Sequence, residues 1–153
     1  ETGQLVSPAE VRVWLQSGID VNARGYIRQT ALMFAVSNEN PEVTKALLQA
    51  GAEVNARDED GATALIYGTR WNETPEVTKL LIEAGADVNA RMNNGATALT
   101  RAASNKTPEV TKLLLEAGAN VNARTNNGKT ALMLATGEGN SEVIKLLLEA
   151  GAE

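Results

Sequence analysis

The sequence predicts an all-α solenoid of stacked helix–turn–helix units with projecting β-turns, and three observations predict it. The tripeptide Val-Asn-Ala begins at Val21, Val54, Val88 and Val121, giving spacings of 33, 34 and 33. Thr-Ala-Leu begins at Thr30, Thr63, Thr97 and Thr130 with the same spacings. Glycine recurs in phase at Gly18, Gly51, Gly85, Gly118 and Gly151, while all four prolines, Pro8, Pro41, Pro75 and Pro108, share another phase that Ser141 takes in the last copy. A fixed period of this length marks a repeat architecture in which each copy is one supersecondary unit.

The residue types within one period define two helices and a turn. In the third copy Thr107-Pro108-Glu109 reads as N-cap, proline at the first helical position and an acid in the first turn. The hydroxyl is placed to accept an orphan backbone N–H, proline has no donor to leave unpaired, and glutamate suits the positive end of the helix dipole. Val110, Leu113, Leu114 and Ala117 follow at helical spacing, with Thr111, Lys112 and Glu116 between them. Gly118 then supplies the left-handed residue that ends the helix. The other helix starts near Thr97 and carries Ala98, Leu99, Ala102 and Ala103, small side chains that let neighbouring backbones approach. Between helices of successive copies, Val88 to Gly95 is an extended stretch with a turn signal at Asn94-Gly95. Neither helix has enough apolar surface to be stable alone, so the units must stack.

Repetition runs the length of the chain, so residues 1–153 form a single domain. Residues 1–17 are an N-terminal partial repeat; 18–50, 51–84, 85–117 and 118–150 are full repeats; 151–153 start a further or terminal segment. The partial repeat supplies only a second helix, Pro8 to Ser17, with Trp14 placed to cover the first full repeat. The second copy has one extra residue between Leu65 and Pro75, which is expected to bulge the turn Arg70-Trp71-Asn72-Glu73-Thr74. The last helix, Ser141 to Ala150, keeps its apolar character in Val143, Leu146, Leu147 and Leu148, and no polar closing repeat is visible after it. Either more repeats follow in the natural protein, or this end packs on something.

Composition excludes several classes of chemistry. With no cysteine there are no disulfides, thiolate nucleophiles or zinc–sulfur sites, and with no histidine the commonest general base and metal ligand are missing. No nucleophile–base pair, metal cluster or phosphate loop is recognisable, so the chain reads as a non-enzyme without a cofactor. Fourteen basic residues against nineteen acidic ones give a net charge of −5, which repels polyanions and counts against nucleic acid as a partner. No apolar run approaches the roughly 18 to 20 residues of a membrane span. The start, Glu1-Thr2-Gly3-Gln4, is not a signal peptide, though one removed earlier or an expression scar would leave such a start. The compartment stays open, with a soluble cytoplasmic protein slightly favoured over an exported one.

The helix end Leu113-Leu114-Leu115-Glu116-Ala117-Gly118-Ala119-Asn120-Val121-Asn122-Ala123 and the junction Gly95-Ala96-Thr97-Ala98-Leu99 strongly resemble the ankyrin repeat, and the resemblance covers nearly the whole chain from Ser7. It implies an ankyrin-repeat solenoid of L-shaped units that binds another protein through its hairpin tips and concave first-helix face. Two departures stand out. The family's usual Thr-Pro-Leu-His becomes Thr30-Ala31-Leu32-Met33, Thr63-Ala64-Leu65-Ile66, Thr97-Ala98-Leu99-Thr100 and Thr130-Ala131-Leu132-Met133, so its histidine hydrogen bonds are missing. Arg28 takes the place of Gly61, Gly95 and Gly128: either arginine is strained at a positive φ, or Gly25 reshapes the turn.

Residues fixed from copy to copy are architectural, so function is sought where copies differ and side chains point outward. That comparison selects Tyr26, Ile27, Met33 and Phe34 in the first copy, Asp58, Glu59, Asp60, Tyr67, Arg70 and Trp71 in the second, and Met92, Thr100 and Arg101 in the third. The expected partner-binding set is Tyr26, Ile27, Phe34, Glu59, Tyr67, Arg70, Trp71, Met92 and Arg101. Four of the chain's five aromatics lie in the first two copies, and tyrosine, tryptophan and arginine bury large areas at small entropic cost. Trp71, in the inserted turn, is the strongest single candidate; Phe34 and Tyr67 share a phase with Leu134 and are the weakest.

The remaining motifs have plainer readings. Arg24, Arg57, Arg91 and Arg124 recur once per repeat and are expected to pair with nearby carboxylates, with a docking stripe for an acidic partner as the alternative. Asp58-Glu59-Asp60-Gly61 faintly resembles a calcium loop but lacks the closing glutamate, and reads as a solvated turn. Gly137-Glu138-Gly139 follows a helix, which excludes a dinucleotide fingerprint. The sequons Asn72-Glu73-Thr74 and Asn105-Lys106-Thr107 precede proline, and their threonines read as caps. The functional expectation is a non-catalytic protein–protein interaction module with its hot spots in the first two full repeats. The alternative is a structural spacer that self-associates end to end through its unclosed C-terminal repeat. An engineered scaffold is a third origin, opposed by the inserted residue, Arg28 and the irregular start.

Overall fold

The repeats fold as paired short helices in two layers. The computed structural model describes residues 7–37, 40–71, 75–104 and 107–153, leaving out the side chains of Arg70 and Trp71. Second helices are α1 (Pro8–Gln16), α3 (Pro41–Gln49), α5 (Pro75–Glu83), α7 (Pro108–Glu116) and α9 (Ser141–Glu149). First helices are α2 (Ala31–Ser37), α4 (Ala64–Trp71), α6 (Ala98–Ala102) and α8 (Ala131–Glu138). Each first helix packs on the second helix that follows it; α2, α4, α6 and α8 contact one another in sequence, as do α1, α3, α5, α7 and α9. Among the described residues there is no strand, and no helix is long and apolar enough to cross a membrane.

Small residues set the spacing of the first-helix layer. Ala35, Gly68, Ala102 and Ala135 occupy one phase and are all buried, so adjacent helices meet with little side chain between them. In the second-helix layer the core is an i, i+4 pair in every full copy: Val43 with Leu47, Val77 with Leu81, Val110 with Leu114, Val143 with Leu147. Burial of both members narrows the apolar end patch expected from Val143, Leu146, Leu147 and Leu148: Val143 and Leu147 face the core and Leu146 is half-buried. Leu148 and Met133 are the large exposed apolar side chains of the last repeat. At the other end the expected cover by Trp14 does not form, and its side chain is 46% exposed. Trp14 holds the phase of Leu47, and α1 has no first helix of its own among the described residues to close that face. Buried Val11 and half-buried Leu15 make the contact with the first full repeat instead.

The helix caps divide by backbone geometry. Thr30, Thr63, Thr97 and Thr130 are buried, and each hydroxyl accepts from the backbone N–H three residues on, at 3.4, 3.4, 3.2 and 3.3 Å. Thr97 and Thr130 have ψ of 169° and 166°. Ahead of the second helices ψ falls to 92° at Asn40 and 86° at Asn140, and there the longer amide oxygen reaches the Val43 and Val143 N–H groups at 3.0 and 3.3 Å. Thr107 has ψ of 91° and makes no side-chain cap, so the expected Thr107 cap is corrected: a hydroxyl on Cβ is one atom too short at this geometry. Thr74, its counterpart in the second copy, lies outside the described residues.

The missing histidine is partly replaced in the third copy. The Thr97 N–H donates to the Thr100 hydroxyl at 2.8 Å, closing a capping box in a buried position; in the first copy the Thr30 N–H faces the Met33 sulfur at 3.5 Å. Of the turn expected to bulge around the extra residue of the second copy, Arg70 and Trp71 are helical, and α4 ends at the phase where α8 ends at Glu138 without an insertion. Arg70 and Trp71 are the last residues of α4, while Asn72, Glu73 and Thr74 lie outside the described residues.

Two side-chain ladders bind each repeat to the next. The Asn22 amide accepts from the Glu53 N–H at 2.8 Å and donates to the Gly51 carbonyl at 3.2 Å. Asn55, Asn89 and Asn122 repeat this clamp on Asp87 and Gly85, Asn120 and Gly118, and Glu153 and Gly151. The arginine ladder runs beside it: Arg24 donates to the Arg57 carbonyl at 2.8 Å, Arg57 to the Arg91 carbonyl, and Arg91 to the Arg124 carbonyl at 2.7 Å. Carboxylates are thus not the main partners of these arginines; Arg24 with Glu53 at 3.6 Å is their one ion pair among the described residues. Guanidinium N–H groups of Arg24, Arg57 and Arg91 thus satisfy backbone carbonyls of the next hairpin.

Two stability outcomes follow. Asn40→Ala should lower stability by about 1 kcal/mol, while Thr107→Ala changes it by a few tenths at most; chemical denaturation of both variants checks the contrast, and equal losses would contradict the cap geometry. Thr44, Thr78 and Thr111 bury hydroxyls that have no hydrogen-bond partner, at a phase where the last copy carries Ile144. Thr111→Val should therefore stabilise the chain by about 1 kcal/mol, seen as a higher denaturation midpoint.

Candidate binding surface

The hairpin tips and the first helices carry the varied side chains, and backbone geometry decides how each is presented. In the third copy Met92 to Gly95 closes a tight turn, with the Gly95 N–H donating to the Met92 carbonyl at 2.8 Å. Gly95 has φ 80°, and a Cβ there would stand 2.8 Å from the Asn126 backbone nitrogen of the next tip. Glycine is required both for the left-handed backbone and for that close approach. The first copy adopts the left-handed backbone without glycine. Arg28 has φ 60° and Ile27 φ 57°, while Gly25 stays at −81°, so strained arginine is the outcome and Gly25 does not relieve it. Each such residue costs on the order of 1–2 kcal/mol.

Tyr26 and Ile27 lie on that strained turn, 94% and 38% exposed, and Phe34 on α2 is 54% exposed. Glu59 sits on the next tip, and its N–H donates to the Ile27 carbonyl at 3.1 Å, which joins Tyr26, Ile27 and Glu59 into one local surface. Phe34, Tyr67, Arg101 and Leu134 form a column one period apart along the first helices. Tyr67, Met92 and Arg101 come together with Asp58, Asp60, Ala62 and Ile66 around a small hollow between the second and third repeats. There Arg101 donates to the Met92 sulfur at 3.5 Å. Arg70 and Trp71 stand at the end of α4, and their side chains lie outside the described residues.

Three varied positions turn inward. Met33 and Thr100 are buried because their phase faces the neighbouring first helix; Met133, at the same phase in the last copy, is exposed. Asp58 is also buried, which corrects the solvated-turn expectation. One of its oxygens accepts from the Ala62 N–H at 2.8 Å and the other from the Tyr67 hydroxyl at 2.7 Å. One carboxylate oxygen thus serves the turn and the other holds Tyr67, and among the described residues no group of three His, Cys, Asp or Glu side chains is placed to hold a metal ion.

Gln29 completes this network by donating its amide N–H to the Tyr67 hydroxyl oxygen. Sequence comparison missed Gln29, although its column (Gln29, Ala62, Ala96, Lys129) varies as much as those selected. Half-burial of the ring, then the hydrogen bond to Asp58, holds the Tyr67 phenol above its ordinary pKa; the Gln29 donor opposes them, and the charges of Asp58 and Asp60 reinforce them. A phenol raised in the folded state binds its proton more tightly there than in the unfolded chain. Stability from this group is therefore full below the ordinary tyrosine range near pH 10 and falls as pH rises through and above it. Absorbance titration of phenolate should show one tyrosine ionising late, and Tyr67→Phe should remove that component together with the excess alkaline loss of stability.

A family model described as ankyrin repeats (3 copies) matches residues 7–92 and 72–153. No curated protein matches the chain closely enough to count as a relative. The matched spans overlap and together cover residues 7–153, through the two helical layers and the linked hairpins, and the chain belongs to the ankyrin-repeat family.

Proposed function

We propose that this chain is a non-catalytic module that binds a partner protein through the hairpin tips and first-helix face of its first two full repeats. Ankyrin repeats are generally protein–protein interaction modules and are typically non-catalytic. The observation that carries the assignment here is the exposure of Tyr26, Ile27 and Phe34 within one repeat, where later copies place polar or half-buried residues at the tip and in the column. Large apolar side chains held out on an ordered backbone bury area on binding at little entropic cost. Glu59 adjoins Ile27 through its backbone hydrogen bond, and Met92 and Arg101 of the third repeat extend the proposed surface at the hollow beside Tyr67, with Arg70 and Trp71 at the end of α4. Tyr67 acts through its bonds to Asp58 and Gln29, and so supports the surface as much as it contributes to it.

A pull-down comparing the wild type with a Tyr26→Ala/Phe34→Ala/Trp71→Ala variant tests the assignment. A partner captured by the first and lost by the second, with circular dichroism unchanged, is the expected result. Equal capture by both would move the site off the first two repeats. Absence of any partner, with scattering mass rising with concentration, would instead favour self-association through exposed Met133 and Leu148.

A further inference from the structure

We propose that the first two hairpin tips form one composite subsite for a partner segment that presents an apolar side chain next to a lysine or arginine. This rests on the module assignment above and names the chemistry of its partner. Four tips stand in a row: Tyr26-Ile27, Glu59-Asp60, Asn93-Asn94 and Asn126-Asn127, and all eight side chains are exposed. Each tip is fixed to the next by a backbone hydrogen bond: Glu59 to Ile27 at 3.1 Å, Asn93 to Asp60 at 2.8 Å, Asn126 to Asn94 at 2.9 Å. The row therefore runs from apolar to doubly anionic to neutral amide, and the anionic pair is one hydrogen bond from the apolar one.

The two carboxylates stand on a fixed tip. The Glu59 carbonyl also accepts from the Asn93 amide at 2.8 Å, so the tip backbone is held on both sides before any partner arrives. Among the described residues neither Glu59 nor Asp60 makes an ion pair. Of the nearby cations, Arg24 donates to the Arg57 carbonyl and Arg57 to the Arg91 carbonyl. Arg24, Arg28 and Arg57 line an open groove together with Glu53, Asp58, Gly61 and Asn93, while Asp60 lines the hollow with Tyr67, Met92 and Arg101. Arg101, also at that hollow, donates to the Met92 sulfur. A cationic side chain meets two carboxylates without an ion-pair partner there, in a chain whose net charge is already −5. An apolar neighbour on the same segment would cover Tyr26 and Ile27 and exclude water from that contact, which strengthens it.

Every other full copy uses glycine where Arg28 stands, and the first copy keeps two left-handed non-glycine residues under its most exposed aromatic. Strain of this kind clusters where a surface is pre-shaped for a partner.

Selection of a random peptide display library on the intact chain provides the probe. Enriched peptides should carry an aromatic or branched apolar residue within two positions of Lys or Arg. For a labelled member of that set, Tyr26→Ala and the Glu59→Gln/Asp60→Asn pair should each weaken binding by about tenfold or more, and the second should also flatten the salt dependence. Thermal midpoints matching the wild type, expected because these side chains are exposed, exclude misfolding as the cause. Enriched peptides that lack a basic residue, or whose affinity ignores Glu59→Gln/Asp60→Asn, would overturn the subsite. If such peptides are nonetheless lost on Phe34→Ala or Arg101→Ala, the module assignment stands without it. No enrichment over background would overturn both.

Discussion

Everything in this molecule depends on the contact between one repeat and the next. A helix of five to nine residues cannot hold itself together in water, because the nucleation cost is spread over too few hydrogen bonds. The helices exist because Val–Leu pairs on the second helices and alanine on the first are buried between neighbours. Hairpins have the same problem in polar form, since their backbone groups have no sheet to enter. Asn22, Asn55, Asn89 and Asn122 solve it by clamping a donor and an acceptor of the following repeat, and the arginine ladder supplies carbonyls with donors along the same edge. Stability is accordingly a sum over interfaces rather than a property of any one unit.

That division of labour frees the rest of the surface. Because the ladders use side chains that recur in every copy, the tips and the outward column on the first helices can vary without loosening the stack. The strained Ile27–Arg28 turn shows how far this tolerance goes: the link between the Glu59 N–H and the Ile27 carbonyl forms there just as the equivalent links form at the glycine-bearing turns. Asp58 and Gln29 show the opposite case. They vary between copies, yet they are used internally, to hold Tyr67 and close the second hairpin.

The period, the two helices of each unit, their order and most of their limits were legible in the sequence, because proline, glycine and the cap residues act locally and recur. The first-helix threonine caps were less so: Thr97 marked a start, but only the backbone at ψ near 166–169° brings its hydroxyl to the N–H three residues on. Thr107 looks equally suited and fails at ψ 91°, a difference no residue type announces. Of the candidate surface, Tyr26, Ile27, Phe34 and Glu59 vary between copies and are exposed. Met33, Thr100 and Asp58 vary as well and are buried, because variation reports freedom to differ and not the direction of a side chain.

The sequence by itself determined the repeat, the helical content and the absence of thiol and imidazole chemistry, since these follow from composition and from residue spacing along one chain. Only the tertiary structure decided what touches across the repeats: that the arginines reach carbonyls 33 or 34 residues on, that Asp58 is spent on Tyr67, and that an acidic tip abuts an apolar one. Such contacts depend on how far one unit is displaced and turned relative to the next. That displacement is set by the packing of alanine and valine faces in three dimensions, which a linear pattern constrains but does not contain.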